Sequence, residues 1–122
     1  MLRGYKRICV NPALEMSKDV DVKVGNHQFL INRQDGIQKY VITPEIQDGY
    51  RRLEAHQFDG ITDFDRENCY GLFGDKDTDW GYCKSIFADH YPHIHAFPGG
   101  HKMEYDEIED YLMPLVKELI NK

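Results

Sequence analysis

The residues best suited to chemistry lie in two short polar stretches, each directly after an apolar run. The stretch "GDKDTDW" contains Asp75, Asp77 and Asp79, and the stretch "PGGHK" contains His101. Histidine titrates near neutral pH, which suits a general base. A carboxylate that binds one ring nitrogen fixes the tautomer and stabilises the imidazolium. These residue types therefore indicate an acid–histidine pair, provided that the fold brings the two stretches together.

The two polar stretches follow segments that are predicted to be neighbouring strands. Cys69–Gly74 and His93–Phe97 are short apolar runs bounded by glycine and proline, as buried strands are. Asp79–Tyr91 between them is predicted to be a helix, with Asp79 as its cap. Strands joined by a helix are parallel, so their carboxyl ends meet at one edge of the sheet, where open α/β folds bind ligands.

Asp77 is the preferred partner for His101 among the three loop acids. It lies three residues beyond Gly74, at the strand exit, and the glycines before His101 are expected to let the backbone turn sharply. Asp75 is a competitor, and Asp79 is better placed to cap the following helix. The alternative for all three is that they are solvated loop residues, which are common.

Sequence patterns in the rest of the chain predict one more strand and two more helices, which gives an alternation of strands and helices. A further strand is predicted within Arg7–Ala13, which ends in an Asn-Pro turn. Helices are predicted over Thr43–Phe58, with Thr43 as the cap, and over Tyr105–Ile120, which Pro114 is expected to kink. This alternation predicts a partial three-layer sandwich of about three parallel strands with flanking helices.

Length, charge and cysteine content limit the class of protein. The chain has 122 residues, which predicts a single domain over residues 1–122. Its net charge of −6 argues against nucleic-acid and anionic membrane partners, and it has no apolar run long enough to span a bilayer. Scattered cysteines without a signal peptide predict a reducing, cytoplasmic location and buried thiols at Cys9, Cys69 and Cys83.

The histidines offer an alternative chemistry. His93 and His95 are two residues apart on a predicted strand and so face the same side. Such a pair can bind zinc, with His101 or a carboxylate as third ligand. The chain has no HExxH motif and no cysteine-rich partner motif. The acid–histidine pair is therefore preferred, and no metal or cofactor is predicted.

Two stretches resemble a known family. The segment "CYGLFGDKDTDWGYCKSIFADHYPHIHAFPGGHKMEYDEIEDYLMPLV" resembles the C-terminal end of α/β-hydrolases, and "YKRICVNPALEM" is similar to the strand and Asn-Pro turn of YqiA/YcfP-like esterases. The resemblance covers nearly the whole chain from Tyr5. It implies a serine esterase or thioesterase acting on a small carboxylic ester or acyl thioester, with Asp77 as orienting acid and His101 as general base.

The chain departs from that family in having no nucleophile elbow. The elbow motif is G-x-S-x-G, and neither Ser17 nor Ser85 has the flanking glycines. The cysteines lie on predicted strands and a helix, away from any elbow. The resemblance implies that the elbow precedes Met1, that residues 16–58 occupy the place of a cap or crossover segment, and that the chain alone is inactive.

The competing hypothesis is a non-catalytic binding or oligomerisation module. Without an elbow strand, the first predicted strand would have an unpaired edge near Arg7, Ile8, Cys9 and Val10. Unpaired strand edges favour pairing with another chain, and two-fold dimers are the commonest closed assemblies. We therefore expect a homodimer or higher oligomer that covers this edge.

Overall fold

The described residues of the computed structural model fall into two units, each with a sheet of its own. The structure describes residues 4–19, 22–29, 31, 33–78 and 81–122. One unit combines residues 1–14 with 58–122, and the other comprises residues 15–57. The first contains a parallel sheet of three strands and the second an antiparallel pair.

The elements are short, and their bounds follow in chain order. The strands are β1 (Arg7–Val10), β2 (Gly25–Gln28), β3 (Lys39–Ile42), β4 (Cys69–Gly74) and β5 (His93–Phe97). The α-helices are α1 (Pro44–Ala55), α2 (Asp63–Asn68), α3 (Tyr82–Ala88), α4 (Tyr105–Glu107) and α5 (Met113–Ile120). A 3₁₀ turn covers Met16–Lys18 and a π-helical turn covers Ile108–Leu112. Within the described ranges, no helix has the length and apolar content to cross a membrane.

The parallel sheet has the order β1-β4-β5, so the strand before the acidic loop is central. Both pairs of neighbours are parallel. The predicted strands over Cys69–Gly74 and His93–Phe97 are confirmed at their bounds, and that within Arg7–Ala13 is confirmed over its first four residues. The predicted mixed α/β class with three parallel strands is therefore confirmed.

Helices cover both faces of this sheet. Alternate residues of β4 point to opposite faces, and each face has its own apolar cluster. The buried residues of one cluster are Leu14, Cys69, Phe73, Cys83, Phe87 and Tyr91, and those of the other are Tyr70, Leu72, Phe97, Leu115 and Leu119. Since α3 contributes to the first cluster and α5 to the second, the sheet is the middle of three layers.

The helix after the acidic loop is shorter than predicted. It begins at Tyr82, with Gly81 in the cap position, and ends at Ala88. Asp79 lies outside the described residues, so its role as a cap stays a prediction. The last helical run extends from Tyr105 to Ile120 as predicted, but it leaves α geometry in the π-helical turn directly before α5. Pro114 then lies in the first turn of α5, where a missing N–H costs little.

Helix α2 was not predicted from the sequence, although its start carries a local signal. The Thr62 hydroxyl accepts a hydrogen bond from Asp65 N (3.2 Å), and Asp65 accepts one from Thr62 N (3.1 Å), which together form a capping box. Asp65 is fully buried and also accepts from Arg7 Nη1 (3.0 Å) and Gly4 N (2.9 Å). This carboxylate therefore fastens α2 to β1.

The unit of residues 15–57 contains an antiparallel hairpin of β2 and β3 and the helix α1. Thr43 caps α1 as predicted, accepting from Ile46 N at 3.2 Å, although the helix ends at Ala55 and not at Phe58. Ser17 Oγ donates to Glu54 Oε2 at 2.6 Å. The unit covers nearly the same residues as the expected segment 16–58, whose role as a cap or crossover stays a prediction.

Candidate acid–base site

Asp77 and His101, the two residues selected from the sequence, are in direct contact. His101 Nδ1 lies 2.8 Å from Asp77 Oδ2. The side chain of Asp77 is only 5 % exposed, whereas that of His101 is 49 % exposed. An ionised carboxylate can only accept, so Nδ1 carries the proton and, in the neutral ring, Nε2 has the lone pair. The contact therefore sets the tautomer that a general base requires, on an imidazole that solvent reaches.

Backbone hydrogen bonds beyond the strand ends hold the two loops together. Asp75 N donates to Phe97 O at 2.9 Å, and Lys76 N donates to Gly99 O at 2.8 Å. Asp77 N then bonds back to Gly74 O at 3.1 Å, which closes a tight turn. These bonds extend the β4–β5 pairing past the sheet and present Asp77 to the neighbouring loop. Asp75, the competing acid, is exposed.

Asn11 clamps both loops from the end of β1. Its Nδ2 donates to Gly100 O (3.1 Å) and to His101 O (2.7 Å), and its Oδ1 accepts from Gly74 N (2.8 Å). The residue is 6 % exposed and has a φ of 41°, a left-handed conformation that asparagine tolerates better than most residues. At this position the sequence predicted only an Asn-Pro turn. Its position at a third parallel strand end was the signal that could have added Asn11 to the site.

Close backbone packing explains the glycines around the pair. A Cβ on Gly74 would lie 2.5 Å from Gly99 O and would also overlap Gly100 O. A Cβ on Gly99 would lie 2.6 Å from the Phe97 ring and would overlap the Glu107 carboxylate. Gly99 and Gly100 do not have positive φ values. Lack of space therefore accounts for Gly74 and Gly99, whereas a Cβ on Gly100 would meet no atom within 4 Å.

The other histidines on β5 contact aromatic rings. His93 and His95 lie on the same side, as predicted, and both contact Tyr70, with ring centroids 4.9 and 5.4 Å away. His93 Nε2 is also 3.5 Å from Glu67 Oε2. Within the part of the chain that the structure describes, no three His, Cys, Asp or Glu side chains are grouped so that they could hold a metal ion. The pair at His93 and His95 is thus an aromatic cluster with one carboxylate beside it.

The serines and cysteines lie in places unsuited to a nucleophile elbow. Ser17 belongs to the 3₁₀ turn and bonds Glu54, and Ser85 lies inside α3. Cys9 is a half-buried residue of β1, and the other two thiols, on β4 and α3, are 0–1 % exposed. None of these residues occupies a strand-to-helix turn. Among the described residues, the contact between Asp77 and His101 therefore has no serine or cysteine placed in an elbow beside it.

The chain matches no protein-family model, and comparisons with curated proteins and with solved structures gave no match. The interpretation of the site consequently depends on its own geometry. That geometry is a buried carboxylate, a half-exposed imidazole and an asparagine clamp at the carboxyl ends of three parallel strands.

Proposed function

We propose that Asp77 and His101 are the orienting acid and general base of an α/β-hydrolase-type enzyme that cleaves carboxylic esters or acyl thioesters. The observation that carries this proposal is the 2.8 Å contact between a buried carboxylate and Nδ1 of a half-exposed histidine. Its location supports the same function, because open α/β sheets bind ligands beyond the carboxyl ends of their strands.

The proposed mechanism assigns each proton to an atom. As a serine hydroxyl attacks the acyl carbon, its proton passes to His101 Nε2, and the Asp77 carboxylate stabilises the imidazolium. His101 then gives that proton to the departing alkoxide or thiolate. Water attacks the acyl-enzyme by the same route and releases the acid. The mechanism uses no cofactor.

This chain offers no serine in an elbow, so a further polypeptide segment has to supply the nucleophile. An acid–base pair without a nucleophile and oxyanion hole gives only weak residual rates. We therefore expect the 122-residue chain to hydrolyse a short p-nitrophenyl ester no faster than its His101→Ala variant. Appreciable turnover that His101→Ala abolishes would contradict this expectation.

A tautomer experiment tests the acid–base pair without needing a nucleophile. In Asp77→Asn the new amide can donate to Nδ1, which moves the proton to Nε2 and removes the lone pair there. Acylation of His101 by diethyl pyrocarbonate, followed by mass spectrometry, should slow by roughly tenfold or more. Nitrogen NMR shifts of the ring should report the same change. Asp75→Asn, a neighbouring exposed acid, is the matched control and should react at the wild-type rate. Equal rates in the two variants would refute the proposed role of Asp77.

The coding DNA upstream of Met1 distinguishes the hydrolase hypothesis from the hypothesis of a binding module. An in-frame segment encoding a strand, G-x-S-x-G and a helix would supply the nucleophile. The longer protein should then hydrolyse esters, and Asp77→Asn should lower its kcat by about 10⁴-fold through the wrong tautomer. Upstream DNA without such a segment would favour a binding module.

A further inference from the structure

The outer edge of β1 has no partner among the strands that the structure describes, and its hydrogen-bonding groups can be identified. Among the described strands, β1 has β4 on one side and no neighbour on the other. Asn11 N donates to Leu72 O of β4 at 2.9 Å. Alternate residues of a strand direct their backbone groups to opposite sides, so Cys9 also faces β4. Ile8 and Val10 therefore point their N–H and C=O groups outward.

An apolar groove of about 360 Å³ adjoins this edge. Its walls come from β1 and from the last helical run, and include Ile8, Val10, Leu112, Val116, Leu119 and Ile120. Ile120 is 67 % exposed. The edge thus combines unused backbone groups and exposed apolar surface.

We propose that two copies of this chain pair β1 with β1, antiparallel, around a two-fold axis that passes beside Cys9. Residues opposite each other in an antiparallel pair share a face, and the outward-pointing ones exchange hydrogen bonds. Within the bounds of β1, only one register satisfies both conditions for Ile8 and Val10 at once. In it, Ile8 of each copy is opposite Val10 of the other, and the two Cys9 residues are opposite each other.

The charge distribution favours a second copy as the occupant. An antiparallel arrangement reverses the direction of the helical run, so the start of one run lies beside the end of the other. The start is strongly acidic and the end carries a small net positive charge: Glu104, Asp106, Glu107, Glu109 and Asp110 against Lys117, Glu118 and Lys122. Lys6 donates to Lys122 O at 3.0 Å and adds its charge to the basic end. The two-fold arrangement therefore brings opposite charges together twice.

The proposed register makes Cys9 a chemical probe of the interface. The two Cys9 residues would form a non-hydrogen-bonded pair, whose Cα atoms lie about 4.5 Å apart. That separation is within the range that disulfides bridge. A hydrogen bond with Cys69 lowers the pKa of the Cys9 thiol against the effect of burial, and the Arg7 charge lowers it further. A larger thiolate fraction favours oxidation.

Light scattering and mild oxidation test the register on the wild-type chain. At micromolar concentration the mass should be twice 14.3 kDa. Oxidation should give a disulfide-linked dimer whose peptide map contains a Cys9–Cys9 link. Cys9→Ser should lose the link but keep the dimer. With Cys9→Ser as background, Val10→Cys moves the thiol out of register and should crosslink at least tenfold less. A monomer, or equal crosslinking from position 10, would overturn the proposal.

Substitutions on the two edges of the sheet identify which edge forms the dimer interface. Val10→Lys places a charge on the proposed interface and should raise the dimer dissociation constant at least tenfold. Ala96→Lys, at an exposed position of β5, is the matched control and should leave it unchanged. The opposite result would overturn the proposal. If circular dichroism shows that Val10→Lys does not fold, the crosslinking experiment decides whether β1 forms the interface. The proposal does not depend on the acid–base function.

Discussion

Replacing Asn11 is the sharpest test of how the fold positions His101. The side chain makes three hydrogen bonds, to Gly74 N, Gly100 O and His101 O. Each contributes about 1 kcal/mol net, so their loss should cost roughly 3 kcal/mol. Small domains are stable by only about 5–15 kcal/mol, and the change should lower Tm by roughly 10 °C.

Two variants separate the contribution of the hydrogen bonds to stability from the contribution of the backbone conformation. Asn11→Gly removes the side chain but accepts the φ of 41° without strain, so its cost reports the hydrogen bonds together with the larger unfolded-state entropy of glycine. Asn11→Ala removes the same bonds and adds about 1 kcal/mol for a Cβ in the left-handed region. The difference between the two variants should therefore be about 1 kcal/mol.

Urea unfolding and amide hydrogen exchange provide the measurements. Equilibrium unfolding gives the free energies of the three proteins, and exchange locates the change. The amides of Asp75, Lys76 and Asp77, which hold the loops together, should exchange faster in Asn11→Gly, while those in the middle of β4 should follow global stability. If Asn11→Gly unfolds within about 0.5 kcal/mol of wild type and these amides keep their exchange rates, Asn11 is no clamp.

Two further predictions concern the same sheet and its packing. Gly74→Ala puts a Cβ against carbonyls of the opposite loop, so urea unfolding should show a loss of roughly 2 kcal/mol. Gly49→Ala in α1, whose Cβ would meet only Arg52 Nη2 at 3.8 Å, should be neutral or stabilising. Backbone N–H groups, that of Gly4 first, and the Arg7 guanidinium hold the pKa of Asp65 well below its usual range. The stability that this carboxylate contributes is therefore complete above its unfolded pKa of about 4 and is lost as the pH falls toward the lower folded value. Wild type should lose stability relative to Asp65→Asn between about pH 5 and pH 2, and parallel curves would contradict this assignment.

The local elements of the parallel sheet could largely be predicted from the chain itself. Cys69–Gly74 and His93–Phe97 are apolar runs closed by glycine and proline, and the observed strands have these bounds. The cap of α1 at Thr43 could also be predicted from the sequence. The hairpin of β2 and β3 was missed because its residues alternate weakly in polarity, so its strands depend on pairing with each other more than on a local pattern.

The residue types, the strand exits and the parallel direction of the strands were enough to predict that an acid and a histidine would meet. Those features are local, or follow from the way a helix connects two strands. Tertiary structure decided that the acid is Asp77 and not Asp75, and that Asn11 holds both loops. The order β1-β4-β5 is what puts Asn11 beside those loops. A hydrogen bond depends on tenths of an ångström between chain segments far apart in sequence, and only the packing of the sheet and its helices sets such distances.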